Sequence, residues 1–212
     1  MEMSDFKMDC PGDSRGGASR RVLGLPGSLR KGSYNRLLLK AAAYAAPAGV
    51  EVVVYEDLEL VPLFDEDLEL ATSGGPEGVR QLRAHVAAAD GVLVATPEYN
   101  QSFPGVLKNA IDWLSRPAPV EALARKPVAI IGASTGRWGT RLAQSHLRHV
   151  LYAVGSLVLP KPSLFVSDAA DLFDSDSRLT DPSTCEALKE LLASFDAWMA
   201  STAAVLPVGS CM

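Results

Sequence analysis

The stretch Val22-Leu23-Gly24-Leu25-Pro26-Gly27-Ser28-Leu29-Arg30-Lys31-Gly32-Ser33-Tyr34-Asn35 joins an apolar run to a Gly/Ser/Arg loop and then to a helical pattern. A strand that breaks into such a loop before a helix is an anion cradle. The helix start offers N–H groups without intrahelical acceptors and the positive end of the helix dipole. Gly27 and Gly32 let the backbone approach a ligand closely. Ser28, Ser33 and Asn35 add neutral hydrogen-bonding groups, and Arg30 adds a charged fork suited to phosphate. No Asp or Glu lies between residues 22 and 50 to repel an anion.

Outward from this stretch, strands and helices alternate. Arg21–Leu25 reads as a strand covered on both faces. Ser33–Ala46 reads as an Ala/Leu-rich helix ended by Pro47-Ala48-Gly49. Val50–Tyr55 is a second strand, its charged start suited to a sheet edge. Residues 56–76 form a long connection in which Glu56, Asp57, Glu59, Asp65, Glu66, Asp67 and Glu69 interleave with Leu58, Leu60, Val61, Leu63, Phe64 and Leu68. The EF-hand spacing with its central Gly is absent. A solvated segment pinned by its apolar residues, or meeting a partner subunit, is expected.

Beyond it the pattern predicts a helix over Glu77–Ala89, a strand over Gly91–Ala95 and a helix over Gly105–Ser115. The apolar face of that last helix runs through Val106, Leu107, Ala110, Ile111 and Leu114. A strand over Pro127–Gly132, a helix over Gly139–Ala153 and a strand over Ser156–Leu159 follow. A connection (160–182) leads to a last helix over Pro182–Ala200, capped by Asp181 or Ser183. Strict alternation with buried strands specifies one α/β domain, residues 20–202. Five strands suggest a flavodoxin-like three-layer sandwich, with helices on both faces of a five-stranded parallel sheet of order 2-1-3-4-5. Ligands bind there outside the carboxyl ends of the strands, at the crevice between the first and third.

Bulk properties narrow the class. The 212 residues carry 20 basic and 25 acidic side chains, a net charge of −5, the wrong sign for a general nucleic-acid binder. Cys10, Cys185 and Cys211 are too far apart for a zinc or disulfide pattern, which suits a reducing cytoplasm. No run has the length of a membrane span. Residues 1–19 lack the apolar centre of a signal peptide and are expected to be a disordered extension or a misassigned start; 203–212 are expected to be a flexible tail.

Three loops fall at the carboxyl edge: 26–35, 96–104 and 133–139. Read singly, each is also an ordinary turn; their convergence favours a ligand. The first lacks both G-x-G-x-x-G and G-x-x-x-x-G-K-[ST], and Glu56 is isolated as a ribose anchor. A terminal monophosphate wrapped by Ser28, Arg30, Ser33 and Asn35 fits better, which favours FMN over NAD or ATP. Pro97 and Pro104 shape the second loop, where Tyr99 and Asn100 would flank a flavin ring. Hydride transfer through a flavin needs no protein base, so Glu98 reads as a positioning group and no side chain is assigned as catalytic. Ser134, Thr135 and Gly136 offer small donors near the same ring. Arg137 and Trp138 would close over it or meet a second subunit. His146 and His149 lack further metal ligands, His85 is isolated, and no nucleophile–His set assembles. No metal site is expected. Arg141 and Arg148 read as ion-pairing residues.

The segment Gly27–Asn35 resembles the G-S-x-R-x-x-S-x-N phosphate loop of the NAD(P)H-dependent FMN reductase family. Pro97-Glu98-Tyr99-Asn100 with Pro104-Gly105-Val106-Leu107-Lys108-Asn109-Ala110-Ile111-Asp112-Trp113 resembles its second signature, and Ser134-Thr135-Gly136 with Gly139 its third. The bacterial chromate/quinone reductase branch is the most similar, with azoreductases nearby. The resemblance implies non-covalent FMN, NADPH or NADH as co-substrate, and homodimers or homotetramers with FMN partly at the interfaces. It implies that Ser28, Arg30, Ser33, Tyr34 and Asn35, in the loop opened by Gly27, bind the FMN phosphate. Pro97, Glu98, Tyr99 and Asn100 would hold the isoalloxazine, with Ser134, Thr135 and Gly136 at its far edge. The implied activity is ping-pong hydride transfer through FMN N5 to a small-molecule acceptor: a quinone, an azo compound, chromate or free flavin. A flavodoxin-type electron carrier, whose T-x-T-G-x-T loop is not matched, and a catalytically silent flavin-binding protein are the alternatives.

Overall fold

The protein is described here by a computed structural model covering residues 19–72, 74–116 and 121–205. Its parallel sheet has β1 (Arg20–Pro26) between β2 (Val50–Val54) and β3 (Gly91–Ala95), with β4 (Pro127–Ala133) beyond β3 and β5 (Leu157–Val158) outermost. The order is the expected 2-1-3-4-5. Strand residues alternate between two cores, as the pleat requires. Leu23, Leu25, Val92, Val94, Val128 and Ile130 pack on one side with α3 (Glu77–Ala88), α4 (Gly105–Leu114) and α5 (Arg141–Ala153). Val22, Leu93, Ala129 and Ile131 pack on the other with α1 (Tyr34–Ala45) and α6 (Pro182–Val205). Both faces are apolar, so the strands read as apolar runs.

The structure departs from the sequence reading at the fifth strand. β4 pairs with β5 only through Pro127 and Val128, and its other end pairs with an additional strand, β6 (Leu164–Val166), at Ile131–Ala133. Pro160 and Pro162 lie between the two and donate no N–H, so the ladder stops and restarts. The long connection also contains a short helix, α2 (Glu66–Ala71), with Asp65 capping the N–H of Asp67.

The expected pinning of this connection is present. Leu58 and Val61 are buried, and polar groups on α4 hold the rest. The Pro62 carbonyl accepts from Asn109 Nδ2 and Trp113 Nε1, both at 2.8 Å, and Phe64 N donates to Asn109 Oδ1 at 2.7 Å. Arg116 lies 5.4 Å from the Phe64 ring and donates to Glu69 at 2.8 Å. Glu56 pairs with Arg36 rather than standing free as a ribose anchor.

Helix ends follow capping chemistry. Ser33 Oγ accepts from Asn35 N at the start of α1. Asp181 Oδ2 accepts from the N–H and hydroxyl of Thr184, both at 2.7 Å, with Pro182 as the first residue of α6. Helix α6 continues to Val205 instead of ending near Ala200, so residues 203–205 of the expected tail are helical. The rest of that tail, and the extension up to residue 18, lie outside the described residues.

Candidate active site

The loops after β1, β3 and β4 meet at the carboxyl edge. They enclose a cleft of about 190 Å³ lined by Ser28, Arg30, Ser33, Tyr34, Asn35, Pro97, Glu98, Tyr99, Ala133, Ser134 and Thr135. Ten of these eleven are residues that sequence reasoning assigned to the site. Gly27, Asn100 and Gly136 were assigned too, and they lie behind or beside the lining. Gly27 is buried, its N–H bonded to Ala95 O at 2.8 Å. A Cβ there would meet Ala95 O, Leu107 and Pro97 at 3.2–3.3 Å, so the glycine lets the first loop lie against the second. Asn100 sits at an exposed hairpin tip. Gly136 is exposed, its N–H donating to Ser134 Oγ at 3.1 Å.

The loops are fastened to one another. Asn35, 2% exposed, bridges the first and third: its Nδ2 donates to Ala133 O and its Oδ1 accepts from Ala133 N, both at 2.9 Å. The Asn35 side chain is therefore a brace between the two loops, and Ala133 is a lining residue with no side-chain signal for the sequence to carry. Behind the brace, Gly132 leaves room that nothing larger can use. A Cβ at that position would come 2.1 Å from Thr140 Oγ1 and 2.5 Å from Thr96 O.

Glu98 joins the second loop to α5. Its Oε2 accepts from the N–H groups of Leu142 and Ala143 at 2.9 and 3.0 Å. Helix α5 makes no side-chain cap bond at Thr140, because the Thr140 hydroxyl accepts from Gln144 Nε2 instead. A carboxylate from a loop 44 residues earlier supplies the cap and neutralises the positive helix end. Positioning is thus the role the geometry gives Glu98, though what it positions is a helix and its loop. Ser102 shares a 3.2 Å hydrogen bond with His146 on the same helix. Between these two anchors, Tyr99 and Ser102 exchange backbone hydrogen bonds of 2.8 and 3.0 Å. Asn100 and Gln101 make the tight reversal at φ 49° and 65°, a conformation uncommon outside Gly and Asn.

Arg30 is exposed, 5.8 Å from the Tyr34 ring, and Tyr34 in turn packs 5.7 Å from Phe173. The donor set facing the cleft is therefore the hydroxyls of Ser28, Ser33, Ser134 and Thr135, the guanidinium of Arg30, and the first-turn N–H groups of α1 that Ser33 does not cap. The only lining carboxylate, Glu98, already accepts two helix N–H groups. Uncompensated donors with no free carboxylate fit a phosphate. The hairpin tied to α5 supplies the wall beside it. The chemistry of this donor set fits FMN, with its single terminal phosphate. Among the described residues no cluster of His, Cys, Asp and Glu can hold a metal ion.

Comparison with known proteins agrees with this geometry. A sequence model of the NADPH-dependent FMN reductase family matches residues 20–171. The chain is 44% identical over 179 residues to an NAD(P)H-dependent FMN reductase of Pseudomonas aeruginosa, covering 84% of this chain and 95% of that protein. It is 38% identical over 173 residues to a 2-hydroxy-1,4-benzoquinone reductase of a Burkholderia species, covering 82% and 92%. Among solved structures it is similar to FerB, a flavoenzyme NAD(P)H:acceptor oxidoreductase of Paracoccus denitrificans. The TM-score is 0.78 at 34% identity, covering 86% of this chain and 98% of FerB. With its parallel sheet, its cradle after β1 and these relatives, the chain belongs to the NADPH-dependent FMN reductase family and is an NAD(P)H-dependent, FMN-using oxidoreductase.

Proposed function

We propose that the cleft holds FMN non-covalently and that the protein reduces quinones at the expense of NAD(P)H. The observation that carries the site assignment is the donor set after β1, faced by a single carboxylate that α5 already occupies. Bound there, FMN would supply hydride-transfer chemistry between the nicotinamide donor and the acceptor. The protein's part is to bind and orient. Arg30, Ser28 and Ser33 grip the phosphate. Asn35 holds the first loop against Ala133, and Pro97, Glu98 and Tyr99 form the wall beside the ring. The cleft of about 190 Å³ is smaller than the roughly 300–1,000 Å³ typical of ligand pockets. Part of a flavin bound there stays exposed, so donor and acceptor can use the same face in turn.

A quinone acceptor is supported by the names of relatives: the Burkholderia protein above, and an Escherichia coli quinone reductase 44% identical over 142 residues. Self-association as a homodimer or homotetramer is part of the proposal, supported by the exposure of Tyr99 (53%), Trp138 (66%) and Leu142 (45%) around the cleft. Action in the cytoplasm accords with the free thiol of Cys185.

The test is to purify the protein, titrate it with FMN, and follow NADPH and NADH oxidation with a panel of quinones, azo dyes, chromate and free FMN. The expected result is a yellow protein whose donor oxidation is fastest with a quinone and gives parallel double-reciprocal lines. A protein that stays colourless with added FMN overturns the site, and FMN-loaded protein without quinone-dependent turnover overturns the acceptor.

A further inference from the structure

We propose that Arg137 and Arg141 form the landing site for the phosphate groups of the nicotinamide donor. The proposal rests on the reading of the cleft as the FMN site. Arg137 comes directly after Ser134, Thr135 and Gly136 at the cleft edge, and Arg141 opens α5 four residues on. Both are exposed. Each guanidinium lies on an aromatic ring: Arg137 Cζ is 4.7 Å from the Trp138 centroid, and Arg141 Cζ is 4.6 Å from that of Phe165. Stacking fixes the plane of the fork and leaves its N–H edges open, so little freedom is lost when a phosphate arrives.

Neither arginine forms an ion pair among the described residues, whereas Arg20, Arg36, Arg80 and Arg116 each do. The chain has no Asp or Glu between Glu121 and Asp168. Two carboxylate residues are brought to this rim from elsewhere. Glu98 accepts from the N–H groups of Leu142 and Ala143, and Asp168 donates its N–H to Gly136 O at 3.4 Å without an ion pair to either arginine. In a protein of net charge −5 this is a local positive rim, reinforced by the start of α5. Its ligand is an anion other than the FMN phosphate, which the loop after β1 receives. A quinone offers no phosphate, so the donor dinucleotide is the substrate whose chemistry matches.

The experiment uses FMN-loaded wild type and the Arg137→Ala/Arg141→Ala double variant, with Arg137→Ala alone as the milder change in an exposed loop. Steady-state rates are measured with NADPH and with NADH at two ionic strengths. The expected result is a fall in kcat/KM for the donor of about tenfold or more, expressed in KM, together with a weaker salt dependence. FMN affinity and the KM for quinone are expected to hold. A larger loss with NADPH than with NADH assigns the 2′-phosphate as the contacted group; equal losses assign the pyrophosphate shared by both donors. Either outcome supports the landing site. Unchanged donor KM and salt dependence in both variants, or an effect confined to the quinone KM, overturns it. Failure of the wild type to bind FMN strikes the cleft assignment instead and is seen before any variant is made.

Discussion

The connections after β1 and after β2 leave the same edge of the sheet and are built on opposite principles. The first is short, free of carboxylates and rich in small donors, and it opens a cleft. The second is long and acidic, carries its own short helix, and is clamped onto α4 by Asn109, Trp113 and Arg116. Topology explains the difference. β1 lies beside β3, where successive connections leave to opposite sides and a crevice opens. β2 is the sheet's edge, and its connection lies across the flanks of α3 and α4. Residues that look alike in sequence therefore divide. Pro97 and Glu98 line the cleft, while Asn109 and Trp113, from the adjoining signature, serve the clamp.

The strongest way to break the comparison is at Gly132, which packs behind the cleft. Gly132→Ala puts a methyl group inside contact distance of Thr140 and Thr96. It is expected to lower stability by about 3 kcal/mol or more, read from the urea midpoint, with FMN binding lost in step. Arg30→Ala is expected to weaken FMN binding by about 1.5–3 kcal/mol while riboflavin, which has no phosphate, binds as before. An equal loss for both would move the phosphate elsewhere. Glu98→Ala removes the cap of α5 and is expected to cost about 0.5–2 kcal/mol in unfolding free energy. Glu98→Gln keeps a carbonyl acceptor and is expected to retain most stability and substantial turnover. Near-complete loss of activity in FMN-loaded Glu98→Gln would give the carboxylate a chemical role.

On the acidic side, Trp113→Phe keeps a ring against Phe64 but deletes the bond to Pro62 O. A loss of about 1 kcal/mol and faster proteolysis between residues 63 and 70 are expected, with FMN affinity unmoved. The smallest effect concerns Asp181, held below the usual carboxylate range first by the Thr184 hydroxyl and then by its N–H. Its folded value is depressed, so its contribution is present above the unfolded value and disappears as pH falls through the folded one. Asp181→Ala is therefore expected to flatten stability against pH on the acid side alone.

Much of this was legible from local pattern. Apolar runs marked β1, β3 and β4 because both faces of those strands are covered, and the three loops declared themselves by Gly, Pro and Ser content at helix starts. What stayed hidden depends on partners distant in sequence. Nothing near Asn35 announces Ala133, 98 residues on, and nothing near Glu98 announces that α5 lacks a cap. β6 has three residues between loop segments, too few for a periodic signal. Helix α2 buries none of its residues, so it has no apolar stripe to read.

The break between β5 and β6 bears on how these molecules behave at high concentration. A bare sheet margin presents a row of unpaired N–H and C=O groups on which another chain can build. Here that margin consists of two residues, then a segment with two prolines, then three residues. No neighbour can lay down a continuous strand against it. The same interruption that shortens the ladder thereby guards this side of the molecule against runaway stacking and aggregation.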